Sequence, residues 1–227
     1  MTIQAVQAQS PEKKITSLLV TMGLTVEQGV DQAINALLDN SHFVAGLMEN
    51  AVAIQELEIA IDQAVFAALE SGDLPHSEIR RVTSIVNISK DLARLGKLAA
   101  NLGRKVSQVG EHHEHEDFSR LQPLAIAVSH LCRQTLRSLT RLDPVLARAA
   151  AGTASVDAYR NYVFCGLRDQ STSHVNDAES IHLIFASRCL EQIADYACNL
   201  AENVVVFLDG PSTPQNNQPE RRQRLAC

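Results

Sequence analysis

The sequence predicts an all-α protein of six long helices, arranged as two tandem three-helix bundles related by a pseudo-twofold. Apolar residues make up 45% of the chain and recur every three or four residues, the spacing of one helix face. Aromatic residues make up only 4% and tryptophan is absent, so the core must be aliphatic, which helical bundles tolerate better than sheets do. The helix pattern also starts again in the second half of the chain, which predicts a duplication.

Breaks in the apolar pattern delimit the three helices of the first half. The Ser-Pro pair at residues 10–11 supplies an N-cap and a first-turn proline, so the first helix begins there, and Asn40 interrupts it. The second apolar stripe ends at the Ser-Gly-Asp sequence of residues 71–73. The Leu-Pro pair at residues 74–75 opens a third helix whose apolar stripe runs to Val106. Because the connections are short, these helices should pack as an up-down-up bundle.

Three more helices are predicted in the second half. The fourth covers residues 119–142, and the Asp-Pro pair that follows caps a fifth helix, which reaches about Leu167. Asn176 and Glu179 have the spacing of a capping box and predict the start of the sixth helix. Gly210, followed by proline, ends that helix. The second half therefore repeats the three-helix plan of the first.

These breaks divide the chain into five segments. A polar linker rich in histidine and glutamate separates the two repeats, and both termini lack an apolar stripe. The predicted segments are a flexible N-terminus over 1–10, a first repeat over 11–109, the linker over 110–118, a second repeat over 119–209 and a disordered tail over 210–227.

The two halves also match in sequence. Residues 92–102, LARLGKLAANL, align without a gap with residues 190–200, LEQIADYACNL, and Ser89 aligns with Ser187. Both stretches lie at the same point in the third helix of their repeat. This placement favours a duplication over a chance match.

The sixth helix carries a pair of carboxylates that forms a candidate ligand site. Glu191 and Asp195 are four residues apart, so both lie on one face with their Cβ atoms about 6 Å apart. Asn199 and Glu202 fall in the same arc, opposite the apolar residues of that helix. Carboxylate oxygens on a rigid helix suit a divalent or ferric cation, or a Lys or Arg of a partner. The alternative is that the pair belongs to the solvated face of an amphipathic helix.

One stretch of this helix resembles a known family signature. Residues 188–204, RCLEQIADYACNLAENV, resemble the third-helix signature of the PhoU family, in which an E/DxxxD motif precedes a small residue, an Asn and an Ala-Glu pair. Residues 54–58 and 87–92 resemble first-repeat segments of that family, and the resemblance covers roughly residues 17–210. It implies a cytoplasmic accessory protein of the phosphate-specific transport system, which restrains phosphate uptake and phosphate-starvation genes. The implied partners are the phosphate transporter ATPase subunit and a sensor histidine kinase, and the implied oligomer is a homodimer.

The resemblance also implies a metal site in the second repeat alone. Some family members carry iron or zinc clusters on the ExxxD faces, so Glu191 and Asp195 would be the ligands of a Fe, Zn or Mg ion here. In the first repeat, Ala93 and Lys97 occupy the family's acidic positions, and Ala and Val at residues 51–52 replace its second-helix acidic pair. The metal motif of the first repeat is therefore degenerate, and we expect no metal site there.

The equivalent faces of the third and sixth helices have opposite charge. The outer stripe of the sixth helix holds Glu191, Asp195 and Glu202, with Arg188 among them. We interpret the basic stripe of the third helix as a surface for an acidic partner, an anion or the acidic stripe of a second subunit. The alternative is that both are solvated faces whose charges have drifted. The basic stripe consists of Lys90, Arg94, Lys97, Arg104 and Lys105.

Composition excludes several classes of function. The net charge of −6 argues against nucleic acid as the main partner, because proteins that bind many phosphates usually display a basic face. No signal-peptide pattern and no run of about 18 uncharged apolar residues occurs, so we expect a cytoplasmic protein without membrane insertion. The five cysteines form no CxxC pair, which is typical of free thiols in a reducing compartment.

Catalysis is not predicted, since the sequence contains no nucleophile elbow and no glycine-rich phosphate-binding loop. Two alternatives to a phosphate-signalling regulator are a PhoU-fold adaptor for another transporter or regulator, and a metalloenzyme with a carboxylate site. In the linker, His112, His113 and His115 could bind zinc or nickel. Ordering a flexible linker costs about 1–2 kcal/mol per residue, however, which favours an incidental role for these histidines.

Overall fold

The computed structural model describes residues 11–38, 45–70, 76–112, 118–151 and 177–209 of the chain. The described residues contain no strand, which confirms the prediction of an all-α bundle. A short 3₁₀ turn, Phe118–Leu121, precedes the fourth helix. The described residues form the α-helices α1 Pro11–Leu38, α2 Ala45–Glu70, α3 His76–His112, α4 Gln122–Thr140, α5 Pro144–Ala151 and α6 Asp177–Asp209.

Most helix bounds agree with the sequence prediction, with differences at α3 and α4. The fourth helix covers 122–140 and not the predicted 119–142, because a 3₁₀ turn precedes it. The apolar stripe of α3 stops at Val106, yet the helix continues to His112. It therefore includes the first three residues of the predicted linker, 110–112. Glu and His are ordinary helix formers, and a single glycine costs only about 1 kcal/mol in a helix, so nothing in this stretch forces α3 to stop.

The junction between α4 and α5 shows why the chain turns there. Leu142 has a positive φ of 54°, and the Asp143 N–H donates back to the Ser138 carbonyl at 2.9 Å, which closes the end of α4. The Asp143 carboxylate then accepts hydrogen bonds from the backbone N–H groups of Val145 (2.9 Å) and Leu146 (3.2 Å). Asp143 is therefore the N-cap of α5, as its position before proline predicts.

The helices pack as two triplets. Helices α1, α2 and α3 contact one another, and so do α4, α5 and α6. The triplets meet where α3 packs on α6 and α1 packs on α4. Aliphatic residues fill the core throughout, and Leu92 of α3 and its sequence equivalent Leu190 of α6 are both fully buried. The packing agrees with two three-helix bundles.

Helices α3 and α6 run antiparallel along the contact between the triplets. As residue number rises along α3, the contacting ring on α6 moves towards the start of that helix. Each contact places a cation over an aromatic face, which is attractive because the ring face is electron-rich. The cation-to-centroid distances are 5.1 Å for Arg81 over Phe207, 5.4 Å for Arg94 over Tyr196 and 5.8 Å for Lys105 over Phe185.

Several predictions fall outside the described residues. These are the flexible N-terminus, the tail over 210–227, and the part of the fifth helix that follows Ala151. Among the described cysteines, Cys132 and Cys189 are buried, Cys198 is half-buried and all three are free thiols. None of the helices, within the ranges described, has an apolar stretch long enough to cross a membrane.

Candidate functional site

The predicted carboxylate pair lies on the exposed side of α6. Glu191 is half-buried and Asp195 is exposed, while Ile193 and Ala197 between and beside them point into the core. Two carboxylates suit a hard cation, but a stable site needs further oxygen or nitrogen donors. No group of three or more His, Cys, Asp or Glu side chains comes together within the described ranges. The expected neighbour, the fifth helix after Ala151, lies outside them, so the metal site stays a prediction.

The equivalent face in the first repeat is a groove between α2 and α3. Its volume is about 580 Å³. Ala93 and Lys97, the counterparts of Glu191 and Asp195, both line it. Four of the lining residues are basic and one, Glu58, is acidic, so the groove favours an anionic occupant. The lining residues are Met48, Ala51, Val52, Gln55, Glu58, Lys90, Ala93, Arg94, Lys97, Ala100, Asn101 and Arg104.

A second, more polar cavity of about 320 Å³ lies between α3 and α6. Of its lining residues, Asp91 is buried, with 7% of its surface exposed. The Asn203 side-chain amide donates to the Asp91 carboxylate at 2.8 Å, and the Arg94 guanidinium lies 3.7 Å from the other carboxylate oxygen. Burial raises the pKa of Asp91, while the Asn203 hydrogen bond and the Arg94 charge oppose that rise. Asp91 and Asn203 thus form a buried polar link between the two repeats.

Sequence reasoning missed this link, although one signal was present. Asp91 stands beside the buried Ile88 and Leu92 on the apolar side of α3, where a charged residue needs a partner. Its partner Asn203 belongs to another helix, 112 positions along the chain. Only the packing of α3 on α6 reveals the pair.

The structure brings parts of the two charged stripes together. Lys105 is half-buried over the Phe185 ring of α6 and does not line the groove, whereas the other four basic residues do. Glu202 of the acidic stripe lines the polar cavity together with Lys90 and Arg94 of the basic stripe. The two stripes therefore meet where α3 crosses α6. Of the histidine cluster, His113 and His115 lie outside the described residues.

Comparison with known proteins identifies the family. The PhoU domain family model matches residues 19–106. These residues lie within the predicted first repeat, 11–109. The chain is 30% identical over 203 residues to a phosphate-specific transport system accessory protein PhoU homolog of Pseudomonas aeruginosa PAO1, covering 86% of this chain and 83% of that protein. It is 26% identical to a PhoU homolog of Synechocystis, with 87% and 89% covered.

A solved structure agrees with the sequence matches. The crystal structure of PhoU from Pseudomonas aeruginosa superposes with a TM-score of 0.80 at 26% sequence identity, covering 89% of this chain and 99% of that one. The helical architecture and the sequence similarity extend over the same length. This chain therefore belongs to the PhoU family.

Proposed function

We propose that the protein is a PhoU-like regulator of phosphate uptake and phosphate-starvation signalling. It acts in the cytoplasm by contacts with the ATPase subunit of a phosphate ABC transporter and with a sensor histidine kinase, and not by catalysis. The observation that carries the proposal is the 30% identity, over 86% of the chain, to a protein named as an accessory protein of phosphate-specific transport.

The surfaces of the molecule support a binding role. The groove on the first repeat and the polar cavity between the repeats are lined by charged and amide side chains on long helices. Helices of this length present groups at fixed spacing, which suits recognition of another protein. We further propose that the protein acts as a homodimer, as the family resemblance implies.

The proposed cofactor is a Fe, Zn or Mg ion held by Glu191 and Asp195 of α6, with none in the first repeat. The donor chemistry of the two carboxylates supports this assignment. The first repeat offers Ala93 and Lys97 at the matching positions, and a lysine ammonium repels a cation.

The direct test is deletion of the gene. Cells grown in phosphate-rich medium should then take up phosphate faster and express phosphate-starvation genes, and a plasmid copy of the wild-type gene should restore repression. Normal uptake and normal gene expression in the deletion strain would refute the proposed function.

A second candidate is a PhoU-fold adaptor for a different transporter or regulator. The charge reversal on α3 favours it, since a changed surface suits a changed partner. Binding of the purified chain to the phosphate transporter ATPase and to the cytoplasmic part of the sensor kinase separates the two candidates. The adaptor would be favoured if the purified chain bound neither protein and if deletion of the gene altered the transport of another solute.

A further inference from the structure

Within the described part of the chain, an apolar ridge that no other helix covers runs along α2 beside the groove. Val52, Ile59 and Phe66 recur every seven residues and are 54%, 58% and 67% exposed, and Met48, one turn before Val52, is 54% exposed. Seven-residue spacing keeps them in one line along the helix. The ridge spans about 27 Å at 1.5 Å per residue. Exposed apolar residues that recur over this length are typical of a contact surface for another molecule.

A basic ridge on α3 forms the opposite wall of the groove. Lys90, Lys97 and Arg104 also recur every seven residues, and all three are exposed. They span about 21 Å. The connection between α2 and α3 is only residues 71–75, so the two helices are antiparallel neighbours and their ridges run side by side. Met48 and Val52 of the apolar ridge line the α2 side of the groove, and Ile59 and Phe66 continue the ridge past it. The α3 side of the groove is cationic.

The cations of this wall have few partners within the described ranges, although Glu58 lines the same groove and Glu202 lines the polar cavity beside Lys90. Lys90 and Lys97 make no ion pair or hydrogen bond there, and Arg104 donates only to Asn101 of its own helix, at 3.3 Å. The wall stands out because the whole chain has a net charge of −6. Long cationic side chains without intramolecular acceptors are available to an anionic partner.

Comparison with α6 shows that two of the three basic positions of this wall reverse their charge in the second repeat, whereas Lys90 matches Arg188. By the alignment of the two repeats, the counterparts of Lys97 and Arg104 are Asp195 and Glu202. The same helix position therefore carries opposite charge in the two halves of one chain. A ligand of the first-repeat face must have the chemistry opposite to that of a ligand of the second.

We infer that the groove between α2 and α3 docks an acidic amphipathic helix of a partner protein. The apolar side of that helix lies on Val52 and Ile59, and its carboxylates face Lys90, Lys97 and Arg104. A helix fits better than a small anion because the cations recur over about 21 Å beside exposed apolar residues, whereas a small anion would use one or two cations and leave the apolar ridge exposed. The inference concerns the chemistry of the partner segment and stands independently of phosphate regulation.

The test uses a fluorescent synthetic helix of about 21 residues, with leucines along one face and glutamates beside them. A matched peptide carries lysine in place of each glutamate. Fluorescence anisotropy with the full chain, at about 20 mM and about 300 mM salt, measures both affinities. The acidic peptide should bind at least about tenfold more tightly than the basic one at low salt, and the difference should shrink at high salt.

Two pairs of variants locate the binding. K90E/K97E should weaken the binding of the acidic peptide by about tenfold or more. K13E/K14E makes the same charge change at exposed positions of α1 and should leave the binding unchanged. V52E/I59E should also weaken it by about tenfold. Its control, L24E/I126E, changes two residues that are each 53% exposed on α1 and α4 and should have no effect beyond its charge.

Each other outcome overturns the inference. Failure of the acidic peptide to bind at low salt, or equal binding of both peptides, removes the helix-docking site. Equal loss in K13E/K14E and K90E/K97E means that only net charge matters. Loss in K90E/K97E without loss in V52E/I59E makes the groove a site for small anions. Circular dichroism of every variant confirms that it is folded.

Discussion

Helices α3 and α6 occupy equivalent places in the two repeats and differ almost entirely on their surfaces. The buried positions keep their character: Leu92, Leu95, Ala99 and Leu102 of α3 are all fully buried, as are Leu190, Ile193, Ala197 and Leu200 of α6. The outer positions diverge instead: Lys97 and Arg104 of α3 match Asp195 and Glu202 of α6, although Lys90 matches Arg188. The difference teaches that packing constrains the buried residues of a duplicated helix, whereas its outer residues can change and bind a new ligand.

The largest effect should come from truncating a buried leucine at equivalent core positions of α3 and α6. Leu92→Ala and Leu190→Ala should each lower the free energy of unfolding by about 2–5 kcal/mol, because each removes a fully buried side chain and leaves a cavity. Denaturant titration of both variants measures the loss. A cost below about 0.5 kcal/mol for either would show that the two helices are not packed alike.

A smaller effect should come from the close approach of α3 to α2 at Gly96, which has no counterpart at the matching alanine of α6. A Cβ on Gly96 would lie 2.5 Å from the Cδ1 atom of Ile54, whereas its counterpart Ala194 already carries a Cβ. Gly96→Val should therefore destabilise the protein by about 1–3 kcal/mol. Adding Ile54→Val, which deletes Cδ1, should recover part of the loss. Thermal unfolding checks both, and full stability of Gly96→Val would contradict the contact.

The polar link between the repeats should appear as a pH dependence. Burial raises the folded-state pKa of Asp91 above the ordinary value of 3.8, so the folded protein holds this proton more tightly than the unfolded chain does. The stabilisation from this group is complete below that ordinary value and is lost as pH rises through the folded-state pKa.

Asp91→Asn removes this dependence and keeps an oxygen that accepts from Asn203. Its stability relative to wild type should rise with pH over that interval, with a difference of no more than about 1 kcal/mol at pH 7. Urea titrations across the acidic range measure it. Parallel stability curves for the two proteins would show that Asp91 does not titrate differently on folding.

The smallest effect should come from the exposed ion pair between α4 and α1. Arg133 lies 2.9 Å from Asp31, but its side chain is 44% exposed, so water screens the attraction. A double-mutant cycle with Arg133→Ala and Asp31→Ala should give a coupling of about 0.2–1 kcal/mol. A coupling above about 2 kcal/mol would mean that surface charge, and not the apolar core, joins α1 to α4.

Much of the fold could be predicted because helix ends carry local chemistry. Two helix starts are predicted from a capping residue followed by proline, at residues 10–11 and 143–144. The structure has helices beginning at Pro11 and Pro144. The sequence predicts the end of α3 before residue 110, but the helix continues to His112. The polar residues 110–112 interrupt the apolar stripe without interrupting the helix.

The site was harder to predict, because it depends on which helix covers which face. The sequence shows that Lys97 replaces a carboxylate, but not that Val52 faces it across a groove. Likewise, the sequence shows that Lys105 and Arg94 are both positively charged. Only the packing on α6 shows that they contact different aromatic rings. Contacts between residues far apart in the chain decide these points.

The central claim is that, of the two equivalent faces, only the α6 face is suited to a cation. Metal content and metal titration of the full chain test it most directly, with His112, His113 and His115 replaced by Gln in every protein to remove the linker histidines. The account predicts about one Fe, Zn or Mg ion per chain, lost in E191Q/D195N and retained in K90E/K97E. Metal binding that is unchanged in E191Q/D195N would contradict it.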